Sequence, residues 1–378
     1  MSEPEPRLSV VIPSCNGERH LPACLESLSR QTMQEFEVIL VENGSTDRTV
    51  EIVERDFPWV KLIRMGSRQG FSRPVNLGWR SARAEWVFLL NDDTVCDEEC
   101  LAGLMAGVAA YPDADFFAAL MLFHDNPDVV NSAGHQLMSN GTVVERGVHT
   151  KLAEPFTEYA KVFGACAGAA LYRRSLLERL GGMDEDFWII NEDVDFDFRA
   201  QLAGANCVFL PRARVWHRLS QSMGTGSPRM VHAYTKNLVC YLIKDIPPAF
   251  WARHRLRVLG HLWKASSALV REHRFGALLR ARWDLIHLGP KMLAKRRRLL
   301  PELLARGERV ADLVDDTTWA PDTPEGAETV SQSAPARLWR NAAPGLVAGV
   351  LMLPVLFWLG LAALQDRWLA RGLPDKGA

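Results

Sequence analysis

The sequence predicts an α/β fold for roughly its first 220 residues, and two patterns carry that prediction. Short apolar runs alternate with segments of helical spacing, as in a largely parallel sheet whose strands are connected by helices. The runs are almost continuously apolar, which is typical of strands covered on both faces. With 378 residues, 48% hydrophobic and 24% charged, the chain has a globular composition, so disordered, collagen-like and coiled-coil classes are excluded.

The elements are predicted in chain order from these patterns. The first strands are expected at Leu8–Ile12, Phe36–Val41, Val60–Ile63 and Trp86–Leu90. Apolar residues at helical spacing predict helices at Leu21–Ser29 and Thr46–Arg55. Later apolar runs add strands at Phe116–Phe123, Cys166–Tyr172 and Cys207–Leu210.

Charge divides the chain into four predicted regions. The α/β domain, residues 1–229, is followed by a helical region at 230–310, an acidic linker at 311–336 and a C-terminal segment at 337–378. Residues 251–310 hold 15 Lys/Arg against 4 Asp/Glu, whereas 311–336 hold 6 Asp/Glu and no Lys/Arg. The total formal charge is only -1, which argues against a uniformly basic nucleic-acid binder.

An uncharged run near the C-terminus predicts a transmembrane or membrane-embedded helix at 342–364. About 23 residues at about 1.5 Å each reach roughly 34 Å, enough for a hydrocarbon core of about 30 Å. Trp339 and Trp368 flank the run, as interfacial aromatics do. Basic residues lie on both sides, so the choice between spanning and lying in the membrane, and the orientation, stay open.

The cysteines and the N-terminus point to a reducing compartment. The seven cysteines are scattered without close CxxC pairs, which favours reduced thiols over a disulfide framework or a zinc site. The N-terminal residues lack the basic start and apolar stretch of a secretory signal. We therefore expect a protein at the cytoplasmic face of the inner membrane, held there by its C-terminal segment.

Polar residues follow three predicted strands at the point where each strand ends. The sequences are PSCNG from Pro13, ENGSTD from Glu42 and NDDT from Asn91. Because ligands of open parallel sheets bind beyond the carboxyl ends of the strands, these segments predict a shared crevice. Each segment alone is also consistent with a turn and a helix cap.

Two acidic clusters and one histidine are the candidates for chemistry. Asp92 and Asp93 repel each other unless a cation offsets their charge, and Mg²⁺ or Mn²⁺ prefers such oxygen ligands. Asp193 lies where an amphipathic stretch begins, a position suited to a general base or to helix capping. His217 follows the last predicted strand and is either a ligand or a structural residue.

Residues 8–217 resemble a family 2 glycosyltransferase with the GT-A nucleotide-sugar-binding fold. The order and spacing of several segments carry the resemblance: VVIPSCNG, VENGSTDRT, GFSRPVNLGWRSARAEWVFLLNDDT, GACAGAALYRRSLLERLGGMDEDF, NEDVDFDFRAQLAGA and VFLPRARVWH. The subgroup that is most similar contains rhamnosyltransferase-like enzymes of bacterial surface polysaccharide assembly, which use dTDP-rhamnose or related donors.

The resemblance implies a role for each matching residue. By this resemblance, the nucleotide base pocket is lined by Pro13, Cys15 and Asn43. The donor diphosphate and sugar are contacted by Arg73, Asn76 and Asp92. The divalent metal, Mg²⁺ or Mn²⁺, is bound by Asn91, Asp93 and His217. Asp193 matches the catalytic base.

The predicted function is therefore an inverting glycosyltransferase that moves a sugar from a nucleoside-diphosphate donor to a lipid-linked or polysaccharide acceptor. A deoxyhexose such as rhamnose is the favoured sugar. The basic helical region is expected to attract anionic lipid or a lipid diphosphate.

The alternative is a catalytically inactive, membrane-anchored glycan-binding or scaffold protein on the same fold. A nicotinamide-dependent dehydrogenase is disfavoured because SCNGER replaces GxGxxG after the first strand. Linkage and oligomeric state stay open.

Overall fold

The computed structural model describes residues 5–153, 155–219, 227–318 and 342–370. Contacts divide these residues into two units, each described by itself. The first unit comprises 5–136, 143–219 and 317–318, and the second comprises 137–142, 227–316 and 342–370.

The first unit holds a large sheet and six helices among its described residues. The strands are β1 Leu8–Ser14, β2 Phe36–Glu42, β3 Lys61–Arg64, β4 Trp86–Leu90, β5 Thr94–Cys96, β6 Phe116–Phe123, β7 Asn126–Ser132, β8 His135–Leu137, β9 Val143–Glu145, β10 Ala160–Val162, β11 Ala169–Arg173 and β12 Cys207–His217. The helices are α1 Leu21–Ser29, α2 Thr49–Asp56, α3 Ser72–Arg80, α4 Cys100–Ala110, α5 Arg174–Leu180 and α6 Glu192–Leu202.

The main sheet confirms the predicted α/β class. Its strand order is β10-β12-β6-β11-β4-β1-β2-β3, with β5 beside β12 and β7 beside β6. The half β4-β1-β2-β3 is parallel, and β6 pairs with β12 in parallel, whereas β11 runs antiparallel between β4 and β6. The strand ends of the parallel half therefore lie at one edge, where a ligand crevice is expected.

The continuous apolar runs are explained by burial on both faces of the sheet. Val10 and Ile12 of β1 belong to one hydrophobic cluster, while Val11 of the same strand belongs to the cluster on the opposite face. Successive side chains of a strand point to opposite faces, so both sets must be apolar. This pattern made β1, β2 and β4 predictable to within one or two residues.

Two strands differ from the prediction. The run predicted as Cys166–Tyr172 forms a strand only from Ala169 to Arg173, because the residues before it make a turn. Strand β12 continues to His217, past a register shift between Leu210 and Arg214. The polar residues of the PRAR sequence interrupt the apolar run there, so the sequence pattern stopped seven residues early.

The second unit is helical in its described residues. Its helices are α7 Pro228–Lys244, α8 Pro248–Arg271, α9 Phe275–Asp312 and α10 Ala342–Ala370. Ser227 caps α7 by accepting a hydrogen bond from the Met230 amide. Helix α9 extends into the predicted linker, and Val314 bridges to Leu137. Most of that linker, residues 319–336, lies outside the described residues.

Helix α10 contains the predicted apolar segment. Within the described part of the chain, one helix is long and apolar enough to cross a membrane, over Val347–Leu369, with a mean hydropathy of 2.3. All seven cysteines are free thiols.

Candidate active site

The loops after β1 and β2 are joined by short hydrogen bonds. Asn16 has a left-handed backbone (φ 58°), and its Oδ1 accepts a hydrogen bond of 2.8 Å from the Thr46 amide. In return, Ser45 Oγ accepts from the Asn16 amide at 3.0 Å. Asn is one of the residues that tolerate this conformation. Two of the three predicted strand-end segments therefore meet.

Asp92 connects the third strand end to the first. Its Oδ2 accepts a hydrogen bond of 2.6 Å from Ser14 Oγ. Burial, helped by the negative charge of Asp93, raises the pKa of Asp92 to about 7. A Cβ at Gly17 would lie 2.5 Å from Ser14 Oγ and 3.0 Å from Asp92 Oδ2, so glycine leaves room for this contact. All three strand ends thus share one edge of the sheet.

Asp93 lies beside His217, although 124 positions separate them in sequence. The antiparallel pairing of β5 with β12 aligns His217 with Thr94, and this register places His217 Nε2 3.2 Å from Asp93 Oδ1. The other ring nitrogen, Nδ1, lies 2.9 Å from Asn131 Oδ1. An amide oxygen only accepts, so Nδ1 carries the proton toward Asn131.

This arrangement fits a divalent cation. When Nδ1 of His217 carries the proton of a neutral imidazole, the lone pair of Nε2 is directed at Oδ1 of Asp93. Both of these atoms are acceptors, so a proton or a metal cation is needed to bring them to 3.2 Å. A ring held through its second nitrogen is the usual arrangement of a metal-ligating histidine. Asp93 and His217 therefore have the chemistry of a metal site for Mg²⁺ or Mn²⁺.

Asn91 is fixed through its backbone. Its amide donates to the Gly168 carbonyl at 3.0 Å, and its own carbonyl accepts from Thr94 Oγ1 at 2.7 Å. Its side chain is partly exposed, and a Cβ at Gly168 would approach its Nδ2 to 3.1 Å. The side-chain amide of Asn91 is thus accessible at this edge of the sheet, and its role as a ligand stays a prediction.

Asp193 lies in the first turn of α6, where the helix dipole favours a carboxylate. Its Oδ2 accepts a hydrogen bond of 3.2 Å from the Ala167 amide. Because Gly168 binds Asn91 and the adjacent Ala167 binds Asp193, one turn before β11 holds both acidic segments. The residues before the helix are strained, since Ile190 and Asn191 have φ of 70° and 65°.

The residues predicted for the base pocket line the same strand ends. Pro13 is buried in β1, and Cys15 is partly exposed after it. Asn43 is buried and uses both ends of its amide: Nδ2 donates to Gly70 O at 2.6 Å, and Oδ1 accepts from Gln69 N at 2.7 Å. Asn43 therefore fixes the loop before α3, while the predicted base contact is untested.

The two residues predicted near the diphosphate lie in very different surroundings. Arg73 is exposed and donates to Gln69 Oε1 at 3.1 Å, so its guanidinium is accessible. Asn76 is buried: its Nδ2 donates to Met183 O at 2.8 Å, and its Oδ1 accepts from Met183 N at 2.9 Å. Asn76 thus holds the loop after α5, and a contact with the donor stays a prediction.

Sequence reasoning missed a buried network next to Asp193. His135 Nδ1 lies 2.6 Å from Asp197 Oδ2, and His135 Nε2 lies 3.4 Å from Glu145 Oε1 and 3.9 Å from Asp193 Oδ2. A Cβ at Gly164 would come within 1.9 Å of the Asp197 carboxylate, so only glycine fits there. The one signal in the sequence was the spacing of Asp193 and Asp197, which puts both on one face of α6.

Charges in this network are set by burial and by neighbouring groups. Burial opposes the charge of His135, yet the carboxylates of Glu145 and Asp197 raise its pKa well above the usual value. Burial, followed by the charge of Asp193, raises the pKa of Glu192 to about 8. We therefore expect a cationic His135 and a neutral Glu192 beside Asp193 at neutral pH.

His135, Glu145 and Cys166 form a second cluster with metal-ligand atoms, all within 4.8 Å of one another. A metal would require a neutral imidazole and a thiolate. The carboxylates favour a protonated His135, and burial, with Glu145, raises the pKa of Cys166 to about 12. A metal ion would therefore have to displace protons from His135 and Cys166, and the assignment of the metal to Asp93 and His217 stays a prediction.

Comparison with known proteins supports the family that the sequence predicts. Residues 9–181 match the sequence model of glycosyl transferase family 2, a span that contains every strand-end segment and Asp93 but ends before Asp193 and His217. The chain carries a family 2 glycosyltransferase domain. The family resemblance predicted from the sequence is thereby confirmed, as is the class of enzyme, a glycosyltransferase.

Two curated relatives of this glycosyltransferase are mycobacterial proteins. An N-acetylglucosaminyl-diphospho-decaprenol L-rhamnosyltransferase of Mycobacterium tuberculosis is 28% identical over 292 residues, which cover 70% of this chain and 93% of that protein. A PGL/p-HBAD biosynthesis glycosyltransferase of Mycobacterium bovis is 28% identical over 200 residues, covering 51% of this chain and 69% of that protein.

Solved structures share the fold. TarS residues 1–349 of S. aureus align with a TM-score of 0.51 at 17% identity, covering 81% of this chain and 90% of TarS 1–349. GalNAc-T7, solved with UDP, GalNAc and Mn²⁺, aligns with a TM-score of 0.52 at 19% identity, covering 66% of this chain and 51% of that one. The first unit is thus a GT-A-like domain, as the sequence predicted.

Proposed function

We propose that this glycosyltransferase moves a sugar, with inversion, from a nucleoside-diphosphate donor to a lipid-linked glycan acceptor. One observation carries the proposal: a single turn, Ala167–Gly168, is hydrogen-bonded both to the backbone of Asn91, two residues before Asp93, and to the carboxylate of Asp193. A metal-ligand pair for a diphosphate and a carboxylate for a hydroxyl are the two parts that such a transfer needs.

Asp193 is the proposed base. Its side chain is partly exposed at the start of α6, so an acceptor hydroxyl can reach it. Asp193 takes the proton of that hydroxyl while the oxygen bonds to the anomeric carbon of the donor. The bond from that carbon to the diphosphate breaks on the opposite face, and the diphosphate leaves with the electron pair.

Asp93 and His217 are the proposed metal ligands, with Asn91 beside them. A divalent cation, when bound there, offsets the negative charge that grows on the departing diphosphate. Asn131 fixes the His217 ring, and Ser14 fixes Asp92 for its proposed contact with the donor. The Mn²⁺ in the GalNAc-T7 structure supports this choice of ion, because that protein has the same fold.

The relatives support the choice of substrates. The name of the Mycobacterium tuberculosis relative specifies L-rhamnose as the sugar and a diphosphate-linked lipid with N-acetylglucosamine as the acceptor. We therefore propose a deoxyhexose such as rhamnose as the sugar, a lipid diphosphate as the carrier, and the cytoplasmic face of the inner membrane as the location. The basic surplus in residues 251–310 complements both anionic lipid and a lipid diphosphate.

The test is a donor screen followed by one substitution. The full chain is incubated with dTDP-, UDP- and GDP-sugars and Mn²⁺ or Mg²⁺, first alone and then with an N-acetylglucosaminyl-diphospho-lipid. We expect transfer from one donor class and a loss of about 10²–10⁴-fold in Asp193→Asn, with donor binding retained. Asp128→Asn, an exposed carboxylate on β7, is the matched control. Wild-type turnover in Asp193→Asn would disprove the base.

The alternative, an inactive glycan-binding protein, predicts a different result from the same screen. Such a protein would bind a glycan without cleaving any donor. Slow donor hydrolysis that disappears in Asp193→Asn would exclude it.

A further inference from the structure

Helix α10 has two faces of different character. Every third or fourth residue is buried against the other helices of its unit, beginning at Ala348 and ending at Asp366. The opposite face exposes large apolar side chains, with Phe357 57%, Leu364 62% and Trp368 70% exposed. A surface helix of a soluble protein carries polar residues on that side. The exposed face of α10 is therefore an apolar surface open to a partner.

The buried face is fastened to α9 by an ion pair. Arg296 and Asp366 are both buried and form a forked contact, with Nε to Oδ1 at 2.9 Å and Nη2 to Oδ2 at 2.6 Å. Arg296 Nη1 also donates to the carbonyl groups of Ile243 and Lys244 at the end of α7. Removing one member would leave a buried charge without its partner, which is strongly unfavourable.

Three contacts show that α9 and α10 lie side by side. Trp358 lies against Gly289, where a Cβ would come within 2.3 Å of its ring, and Gln365 Nε2 donates to the Leu293 carbonyl at 3.2 Å. The Arg296–Asp366 pair follows further along both helices. Because the residue numbers of the contacts increase together on both helices, α9 and α10 lie parallel to each other over this stretch.

This pairing conflicts with a perpendicular membrane crossing. The neighbouring stretch of α9 carries Lys291, Lys295, Arg297 and Arg298, of which Lys291, Arg297 and Arg298 are exposed. Lys291 lies two residues beyond Gly289, which contacts Trp358 at the middle of α10, whereas Arg297 and Arg298 follow Arg296, the partner of Asp366 near the end of that helix. If α10 crossed the hydrocarbon core, Lys291 would lie near the middle of that core, where a charged side chain is costly. At the level of the lipid headgroups the same cations are favourable, because they face phosphate groups.

We propose that α8, α9 and α10 bind in the plane of an anionic phospholipid bilayer, with the exposed face of α10 among the acyl chains and the cations of α9 at the phosphates. Helix α9 exposes an apolar stripe of its own, formed by Leu279, Trp283 and Ile286 at helical spacing. The excess of cations over residues 251–310 complements a bilayer and repels a second copy of this unit. This inference rests on the proposed membrane association and specifies its geometry.

Depth measurements on the full chain separate the two geometries. Val350, Phe357 and Leu364 lie seven residues apart on the exposed face of α10. Each is replaced by a spin-labelled cysteine, the unsubstituted chain is labelled in parallel as background, and depth is measured in phosphatidylglycerol vesicles. In-plane binding predicts a similar depth at all three sites. A spanning helix places Phe357 deepest, with the other two about 10 Å nearer to opposite surfaces, and that profile would overturn the proposal.

A matched pair of substitutions tests the apolar face itself. Phe357→Glu puts a charge on the exposed face of α10, while Trp59→Glu puts the same charge on an exposed aromatic residue of the first unit. We expect at least a 10-fold loss of vesicle binding in the first variant and none in the second. Binding that is equal in both variants, or equal on zwitterionic phosphatidylcholine, would contradict the proposal. Donor hydrolysis, measured in the same variants, reports the proposed activity separately.

Discussion

Nδ1 of His135 lies 2.6 Å from Oδ2 of Asp197, and the opposite nitrogen of the same ring faces Asp193 Oδ2 at 3.9 Å. The two carboxylates belong to one helix, four residues apart, and the ring lies between them and Glu145. A cation in this position balances buried negative charge beside the proposed base. The network therefore links the core of the first unit to its chemistry.

We expect His135→Gln to lower the rate of transfer with little change in the KM for the donor. Glutamine keeps a hydrogen bond but cannot carry the charge that His135 places beside Asp193. The expected loss in kcat is about 10- to 100-fold, smaller than the loss on removing the base itself. Arg179→Gln, which removes an exposed cation from α5 of the first unit, is the control. A raised KM with unchanged kcat would place His135 in donor binding instead.

Glu192 predicts a limit at alkaline pH. Burial and the charge of Asp193 raise its pKa to about 8, so the group is neutral at pH 7 and ionises above pH 8. Ionisation adds a second negative charge beside Asp193, and we expect turnover to fall there. Glu192→Gln mimics the neutral acid and should extend the active range upward. Superimposable pH profiles of the two proteins would refute this assignment.

The same group has a consequence for stability. Its folded pKa lies above the unfolded value, so the folded state binds the proton more tightly. The unfolding free energy contributed by Glu192 is therefore greatest at low pH and declines as pH rises from about 4.5 to about 8. Glu192→Gln should remove that part of the pH dependence in chemical denaturation.

The contact between Asn131 and His217 leads us to expect that metal affinity depends on Asn131, although Asn131 is not itself a proposed ligand. Its Oδ1 lies 2.9 Å from His217 Nδ1, which fixes the ring with Nε2 toward Asp93. We expect Asn131→Leu to weaken the apparent affinity for Mn²⁺ by about 10- to 100-fold in a titration of donor hydrolysis. Asn126→Leu, at an exposed position of β7, should match the wild type. Equal metal titrations for both variants would remove His217 from the site.

The sequence predicted those elements whose formation depends on local burial, and it was less accurate where distant segments determine the structure. Strands β1, β2 and β4 were predictable because each is buried on both faces, so every residue had to be apolar. Strand β12 was predicted too short, because a bulge and exposed arginines follow Leu210. The local pattern of apolar residues indicates which segments are buried, but it gives little information on where a bulge interrupts a strand.

The site shows the same limit. Strand ends placed Asp92 and Asp93 at a crevice from local pattern alone. The contact of Asp93 with His217 depends on the pairing of β5 with β12, and only the family resemblance suggested it. His135 is 62 residues from Asp197 in the sequence. To predict their contact one would have to know the position of β8, a three-residue strand that the apolar pattern did not indicate.

Arg282 predicts a substitution that stabilises the helical unit. The side chain is 4% exposed, and only Nη2 has a partner, Ser266 Oγ at 3.3 Å, whereas Nε and Nη1 have none within the described residues. Burial lowers the pKa of Arg282 to about 10, which means that the folded state disfavours its charge. Arg282→Met keeps most of the volume, and we expect it to raise the unfolding free energy by about 1–3 kcal/mol. Arg280→Met, exposed on the same helix, should stay within about 0.5 kcal/mol of the wild type. Urea denaturation followed by helical circular dichroism measures both, and a loss of stability in Arg282→Met would show that the buried guanidinium has an anionic partner.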